Sequence, residues 1–300
     1  MRFGVQLANS VGTWEAVREL AVALDAQGWH SLWLPDHLLP PPKRGDESQP
    51  TYDAWTFLAG LAVSTRRIKL GCLVSANTFR PPALLAKMAC TLDAMAPGRV
   101  TLGLGAAWFE REHRAFGLDF PGLRERQDRL EEAAASIRAL LTEPLPVTRE
   151  SRYYPLDRAP FNPRGAVSLL IGGGGEKRTL RTAARYADIS NVQGILPDIA
   201  RKMTVLDEHC RAAGRDPRSV RRSLAWVFHL TDDAEEAALK RAEWGPDLSR
   251  EERLRSLLVG SVDHLRQVAS GYEALGIEEI MLQTKSLDTR LYQTLHQGLA

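Results

Sequence analysis

Leu169-Leu170-Ile171-Gly172-Gly173-Gly174-Gly175-Glu176-Lys177-Arg178-Thr179-Leu180 is an apolar strand that runs straight into four glycines, with a helix opening on Lys177, Arg178 and Thr179. Glycines put no side chain between backbone and ligand, so successive N–H groups can close on an anion. The helix that follows turns its unpaired amides and positive dipole end toward the same spot. This predicts one strand–loop–helix unit of an α/β protein, with a phosphate cup at Gly172, Gly173, Gly174 and Gly175 and the charge of Lys177 beside it. A glycine-rich turn without a ligand is the alternative reading. Neither standard nucleotide fingerprint is present: there is no Gly-x-x-x-x-Gly-Lys-Ser/Thr, and no acidic residue follows in the dinucleotide manner.

The same alternation extends in both directions. Short apolar runs at Phe3–Leu7, Ser31–Pro35, Ile68–Val74, Val100–Gly105, Ser168–Gly172, Asp188–Val192, Leu224–Leu230 and Glu279–Leu282 read as strands. Between them lie helical patterns at Thr13–Gln27, Ala54–Ser64, Ala83–Met95, Arg124–Leu141, Glu176–Tyr186, Leu196–Ala213, Asp232–Glu243, Val262–Leu275 and Thr289–Leu299. Thr13, Ser261 and the Thr231-Asp232-Asp233 run stand where N-caps belong. Eight strands each followed by a helix predict a (β/α)8 TIM barrel with insertion segments, a single domain over 1–300. A doubly wound sheet is the competitor. Leu38–Tyr52, Glu143–Gly165 and Trp244–Gly260 exceed the minimal barrel, and the first follows a strand's C-terminal end, the active face of such a barrel.

Composition narrows the class. A chain of 300 residues, 44% hydrophobic and of net charge +2, has ample core and no charge surplus to recruit nucleic acid or an anionic membrane. Cys72, Cys90 and Cys210 are few, odd in number and far apart, so neither a disulfide framework nor a metal site is expected. Met1-Arg2-Phe3-Gly4-Val5 is already a strand rather than a signal peptide, and no apolar run reaches membrane-spanning length, which predicts a cytoplasmic protein.

Candidate chemistry gathers at the predicted strand ends. Strand two ends in Asp36-His37, a proton-handling pair or a ligand clamp. Strand three ends at Leu73-Val74-Ser75-Ala76, where small polar groups suit a flat heterocycle, and Arg80 beyond it is expected to pair structurally. Strand four ends in Gly105-Ala106-Ala107-Trp108: small residues leave room for a bulky ligand and Trp108 offers a stacking wall. Glu110, Glu112 and His113 read as a solvated first turn. No Gly-x-Ser-x-Gly elbow is present, and only Asp36 has the placement a glycosidase carboxylate needs. The set suits a large, flat, phosphorylated cofactor whose own ring does the chemistry.

Four stretches in register carry a resemblance: Trp33-Leu34-Pro35-Asp36-His37; Thr78–Lys87 with Thr91-Leu92-Asp93; Gly98–Trp108 with Glu112-His113 and Phe116-Gly117; and Ile171–Thr179 through Ala187-Asp188 and Asn191. Together they resemble the bacterial luciferase-like superfamily, specifically its deazaflavin-dependent branch. The resemblance implies a (β/α)8 barrel with coenzyme F420 in its mouth, FMN being the alternative. It implies that Asp36 contacts the ring system and that His37 faces the substrate. It also places a non-prolyl cis peptide at Leu73–Val74 behind the ring, and the cofactor phosphate at Gly173, Gly174 and their neighbours. Two positions depart from the branch: Trp108 stands where its sugar-phosphate dehydrogenases have an acid, and Ala107 where a glycine is common. Sugar-phosphate oxidation is therefore not expected. The implied function is an oxidoreductase moving a hydride between coenzyme F420 and a small organic substrate, in a homodimer. The alternatives are an FMN-dependent monooxygenase, a non-catalytic flavin- or deazaflavin-binding barrel, and a cofactor-free sugar-phosphate isomerase.

Overall fold

A computed structural model describes residues 1–41, 46–243 and 257–299. Its strands are β1 (Arg2–Leu7), β2 (Ser31–Leu34), β3 (Lys69–Cys72), β4 (Ser75–Ala76), β5 (Val100–Gly105), β6 (Val147–Arg149), β7 (Leu156–Ala159), β8 (Ser168–Gly172), β9 (Ile189–Val192), β10 (Arg221–Leu230), β11 (Leu257–Gly260) and β12 (Glu279–Thr284). Eight of them, β1, β2, β3, β5, β8, β9, β10 and β12, pair in parallel in that order, and β12 returns to β1 to close the barrel. Parallel strands covered on both faces need near-continuous apolar runs, and that is how these segments read. The helices are α1 (Trp14–Gln27), α2 (Ala54–Ser64), α3 (Pro82–Met95), α4 (Glu110–Ala115), α5 (Leu123–Thr142), α6 (Thr179–Tyr186), α7 (Leu196–Ala212), α8 (Ala234–Glu243), α9 (Val262–Glu273) and α10 (Thr289–Leu299). None among the described residues is long and apolar enough to cross a membrane.

Local chemistry sets the ends. Thr13 and Ser261 cap α1 and α9 as their types suggest, and Asp53 caps α2 by accepting from Thr56 N at 2.7 Å. Gly28 closes α1 at φ 92°, a conformation that costs glycine little. The main core lies between barrel and helices, while Trp33, Leu73, Leu170, Ile189, Ala225 and Met281 fill the lumen. The barrel floor is polar. Ser31 Oγ donates to the buried Glu279 carboxylate and accepts from Trp33 Nε1, and His30 Nε2 lies 3.8 Å from Glu279. Burial, joined by the charges of Arg2, Lys69 and Arg221, lowers the His30 pKa to about 4.

Two insertions differ from their sequence reading. The Glu143–Gly165 segment folds back as an antiparallel pair, β6 with β7. The Trp244–Gly260 segment was read as a charged interruption, yet Leu257–Gly260 is strand β11; residues 244–256 lie outside the described set, as do residues 42–45 of the Leu38–Tyr52 segment. The strand β11 pairs with the last four residues of β10, Val227 to Leu230, on the edge that β9 has left and opposite β12. It thereby holds β10 upright above the barrel rim.

Candidate functional site

The C-terminal strand ends form the mouth, and its two sides differ. On the side of β3, β5 and β8 the wall is filled by the protein itself. The Leu73–Val74 peptide is cis, as the resemblance implies. Val74 then rests over three glycines. A Cβ at Gly103 would lie 3.1 Å from Val74 Cγ1 and 2.0 Å from the Cys72 carbonyl oxygen; at Gly105 it would lie 2.6 Å from Val74 Cγ2, and at Gly172 2.7 Å from Val74 Cγ1. Gly105 was read as room for a bulky ligand and Gly172 as part of the phosphate cup; beside both, the room is taken by Val74. Ser75 and Ala76 are buried in β4 against β5, and Ser75 Oγ accepts from Trp55 Nε1 at 2.9 Å.

Beyond β5 the chain turns. Ala107 adopts φ 60°, the left-handed region where glycine is favoured. Arg126 Nη1 holds the turn by donating to the carbonyls of Ala106 at 3.3 Å and Ala107 at 2.5 Å. Trp108, 62% exposed, stands on the rim, stacked on Phe109 and edge-on to His37 at 5.6 Å.

The run beyond Gly172 is only partly available to an anion. Gly173 N–H already donates to Asn191 O at 2.9 Å. The N–H groups of Gly174 and Gly175 have no partner among the described residues. A Cβ on Gly174 would come within 2.8 Å of Lys202 Nζ, which also donates to Gln193 O at 2.7 Å. The cup therefore offers two amides, the opening turn of α6 and the Lys202 ammonium. Lys177 is exposed.

At the end of β2, Asp36 is buried, 3% exposed. Its Oδ2 accepts from Arg80 Nη1 at 2.5 Å, and Arg80 Nη2 reaches Asp53 Oδ2 at 2.5 Å, the structural pairing expected of Arg80. Asp36 Oδ1 has no hydrogen-bond partner among the described residues. Burial pushes the Asp36 carboxyl above its usual range, against the pull of the Arg80 guanidinium.

His37 is held by a carboxylate that sequence reasoning dismissed. Glu112 on α4 was read as part of a solvated turn, but it is 2% exposed and its oxygens lie 3.1 and 3.2 Å from His37 Nδ1. Leu38 N–H donates to the same carboxylate at 2.9 Å. A carboxylate only accepts, so Nδ1 carries the proton and Nε2 is left as the basic nitrogen. His113, likewise read as exposed, is fully buried: Nδ1 donates to Phe109 O at 2.8 Å and Nε2 accepts from Thr78 Oγ1 at 2.7 Å. It is structural.

The other side of the mouth is open. A cavity of about 510 Å³ lies at the ends of β1, β2, β10 and β12, with His37 in its lining. None of Gly172 to Gly175 lines it. Gln6 and Gln283 face it from β1 and β12: Gln283 Nε2 donates to Gln6 Oε1 at 2.5 Å, and Gln6 Nε2 to the Leu73 carbonyl at 2.9 Å. His229 closes the far flank. Sequence reading missed Gln6, Gln283 and His229. Each is a polar residue breaking the C-terminal end of an apolar strand, and that break is the signal that finds them.

Such a mouth has the layout of a TIM-barrel active face, with an oriented imidazole at one cavity and a glycine run outside it. The family described as "Luciferase-like monooxygenase" matches residues 1–252, and the chain belongs to it. An F420-dependent glucose-6-phosphate dehydrogenase of Kineococcus radiotolerans is 32% identical over 234 residues, 76% of this chain and 68% of the relative. The enzyme of that name from Microbacterium testaceum is 30% identical over 85% of this chain and 76% of its own length. A pyrimidine monooxygenase RutA of a Caulobacter species is 30% identical over 64% of this chain and 54% of its own. Among solved structures, an F420-dependent secondary alcohol dehydrogenase superposes with a TM-score of 0.86 at 20% identity, over 100% of this chain and 98% of that one.

Proposed function

We propose that this chain is an oxidoreductase that moves a hydride between coenzyme F420 and a small organic substrate. The observation that carries the reading is His37, fixed by buried Glu112, at an open cavity whose Gln6 donates to the carbonyl of the cis Leu73–Val74 peptide. The F420-dependent relatives favour the deazaflavin over FMN, since each aligns over more than two thirds of its own length.

The residues fit such a cofactor. Gly174 and Gly175 present unpartnered amides, with the Lys202 ammonium close by, to an anionic group. Asp36 Oδ1 is a buried acceptor without a partner, able to receive a hydrogen bond from a polar ring edge. Val74 would back the ring, and Ala106, Ala107 and Trp108 would border it. When bound, the deazaflavin supplies the carbon that takes or gives the hydride. His37 Nε2 takes the proton of a substrate hydroxyl, or returns it to a carbonyl, while Glu112 keeps the ring in the tautomer that leaves Nε2 basic. Trp108 supplies no carboxylate where the sugar-phosphate branch has one, so the substrate is not a sugar phosphate. The whole chain works as one domain, because β1 and β12 close one barrel. Exposed Val63, Leu84 and Met95 on neighbouring α2 and α3 support a homodimer, and three free, buried cysteines suit a cytoplasmic location.

Fluorescence titration of the purified protein with F420 and with FMN tests the reading. Micromolar binding of F420 is expected; micromolar FMN binding with no response to F420 overturns the cofactor. Asp36→Ala should weaken the cofactor by about 1–3 kcal/mol, one buried hydrogen bond.

A further inference from the structure

The cavity that His37 lines holds a second imidazole that also meets a carboxylate, here a half-exposed one rather than a buried one. His229, at the end of β10, sits on the opposite flank, and its Nε2 lies 2.9 Å from Glu236 Oε1 on α8. Thr231 Oγ1 donates to the other oxygen of that carboxylate at 2.5 Å. Glu236 only accepts, so His229 Nε2 carries the proton and Nδ1 is left basic. The two rings thus take opposite tautomers, Nδ1–H for His37 and Nε2–H for His229. Both are held by carboxylates that the cavity does not need for its walls.

The placement is built rather than incidental. The strand β10 runs on to His229 with β11 paired along Val227 to Leu230, on the edge opposite β12. Along the mouth, β1 and β12 separate β2 from β10, roughly 14 Å of wall at about 4.8 Å per strand. The imidazoles reach inward from the two ends of that arc. Pro35, Phe228, Leu230 and Leu291 line the space as apolar surface.

We propose that His229, oriented by Glu236, is a second substrate-binding residue, and that the substrate carries a polar group at each end of an apolar body. One end meets His37, where the reaction occurs; the other meets His229, which selects. This rests on the functional reading above in taking His37 as the reacting end.

The test uses the full-length protein without cofactor, by ¹⁵N NMR of the histidine rings, with 1-butanol and 1,4-butanediol as probes. His229 should appear as the Nε2–H tautomer and His37 as the Nδ1–H tautomer. Glu236→Gln should erase the preference of His229 and leave His37 unchanged. The diol should shift the resonances of both rings and the mono-alcohol only one. His229→Asn and His229→Gln should weaken the diol at least threefold and 1-butanol not at all. Equal affinities for the two probes, an unmoved His229 ring, or unchanged diol binding in both variants overturns the proposal. Loss of F420 binding in the titration above would sink the functional reading yet leave these measurements standing.

Discussion

The two sides of the barrel mouth follow opposite plans. On the β3–β5–β8 side, glycines at 103, 105 and 172 make a trough, and the protein fills it with its own Val74. On the β10–β12–β1–β2 side, polar side chains interrupt apolar strands and leave about 510 Å³ open. The lesson is that a glycine at a strand end marks close approach without saying what approaches. A polar residue in the same place, oriented by a buried partner, is the better sign of an open site.

The largest expected effect breaks the filled wall. At Gly103 an alanine methyl would meet the Cys72 backbone carbonyl at 2.0 Å, where no flexible side chain can yield. Gly103→Ala should cost about 3 kcal/mol or more in urea unfolding, the upper range for overpacked cores. A stable Gly103→Ala protein would show that the trough is looser than described.

Acid separates stability from chemistry. The folded pKa of His30 is depressed to about 4, below its unfolded value near 6.5. Its neutral form therefore favours folding above pH 6.5, and that contribution is lost as pH falls toward 4. His30→Gln should flatten this slope in denaturation curves taken across the window. Because His30 lies on the floor, the change should leave cofactor affinity at pH 7 untouched, and a drop in that affinity would contradict the separation.

On the open wall, Glu112→Gln should lower turnover by about ten- to a hundredfold, the scale of a mispositioned general base, while F420 affinity stays the same. Equal turnover would remove Glu112 from the site. Gly174→Val places a branched side chain against Lys202 and should weaken F420 by about tenfold, or about 1.4 kcal/mol. Circular dichroism should show its barrel intact, and wild-type affinity would end the phosphate-cup assignment. The smallest effect is at Ala107, whose φ of 60° favours glycine. Ala107→Gly should stabilise the fold by no more than about 1 kcal/mol, read as a small rise in melting temperature.

Much of this was legible in the chain alone. The period of the apolar runs determined the barrel, because parallel strands buried on both faces must be apolar throughout and the helices between them must carry one apolar stripe. Asp36-His37 at a strand end and the glycine run after β8 were readable as segments, and the family resemblance implied the bulge at Leu73–Val74. Only the tertiary structure decided what those segments face. Glu112 looked solvated because helical position says nothing about burial by a distant loop, and it is the turn after β2, some 75 residues earlier, that covers it. The strand-end glycines looked like ligand space because the residue that fills them, Val74, comes from the turn between β3 and β4. His229 and Glu236, seven residues apart, became a pair only when the chain turned from β10 into α8. Strand and helix periods are properties of neighbours in sequence, whereas burial and hydrogen-bond partnership belong to neighbours in space.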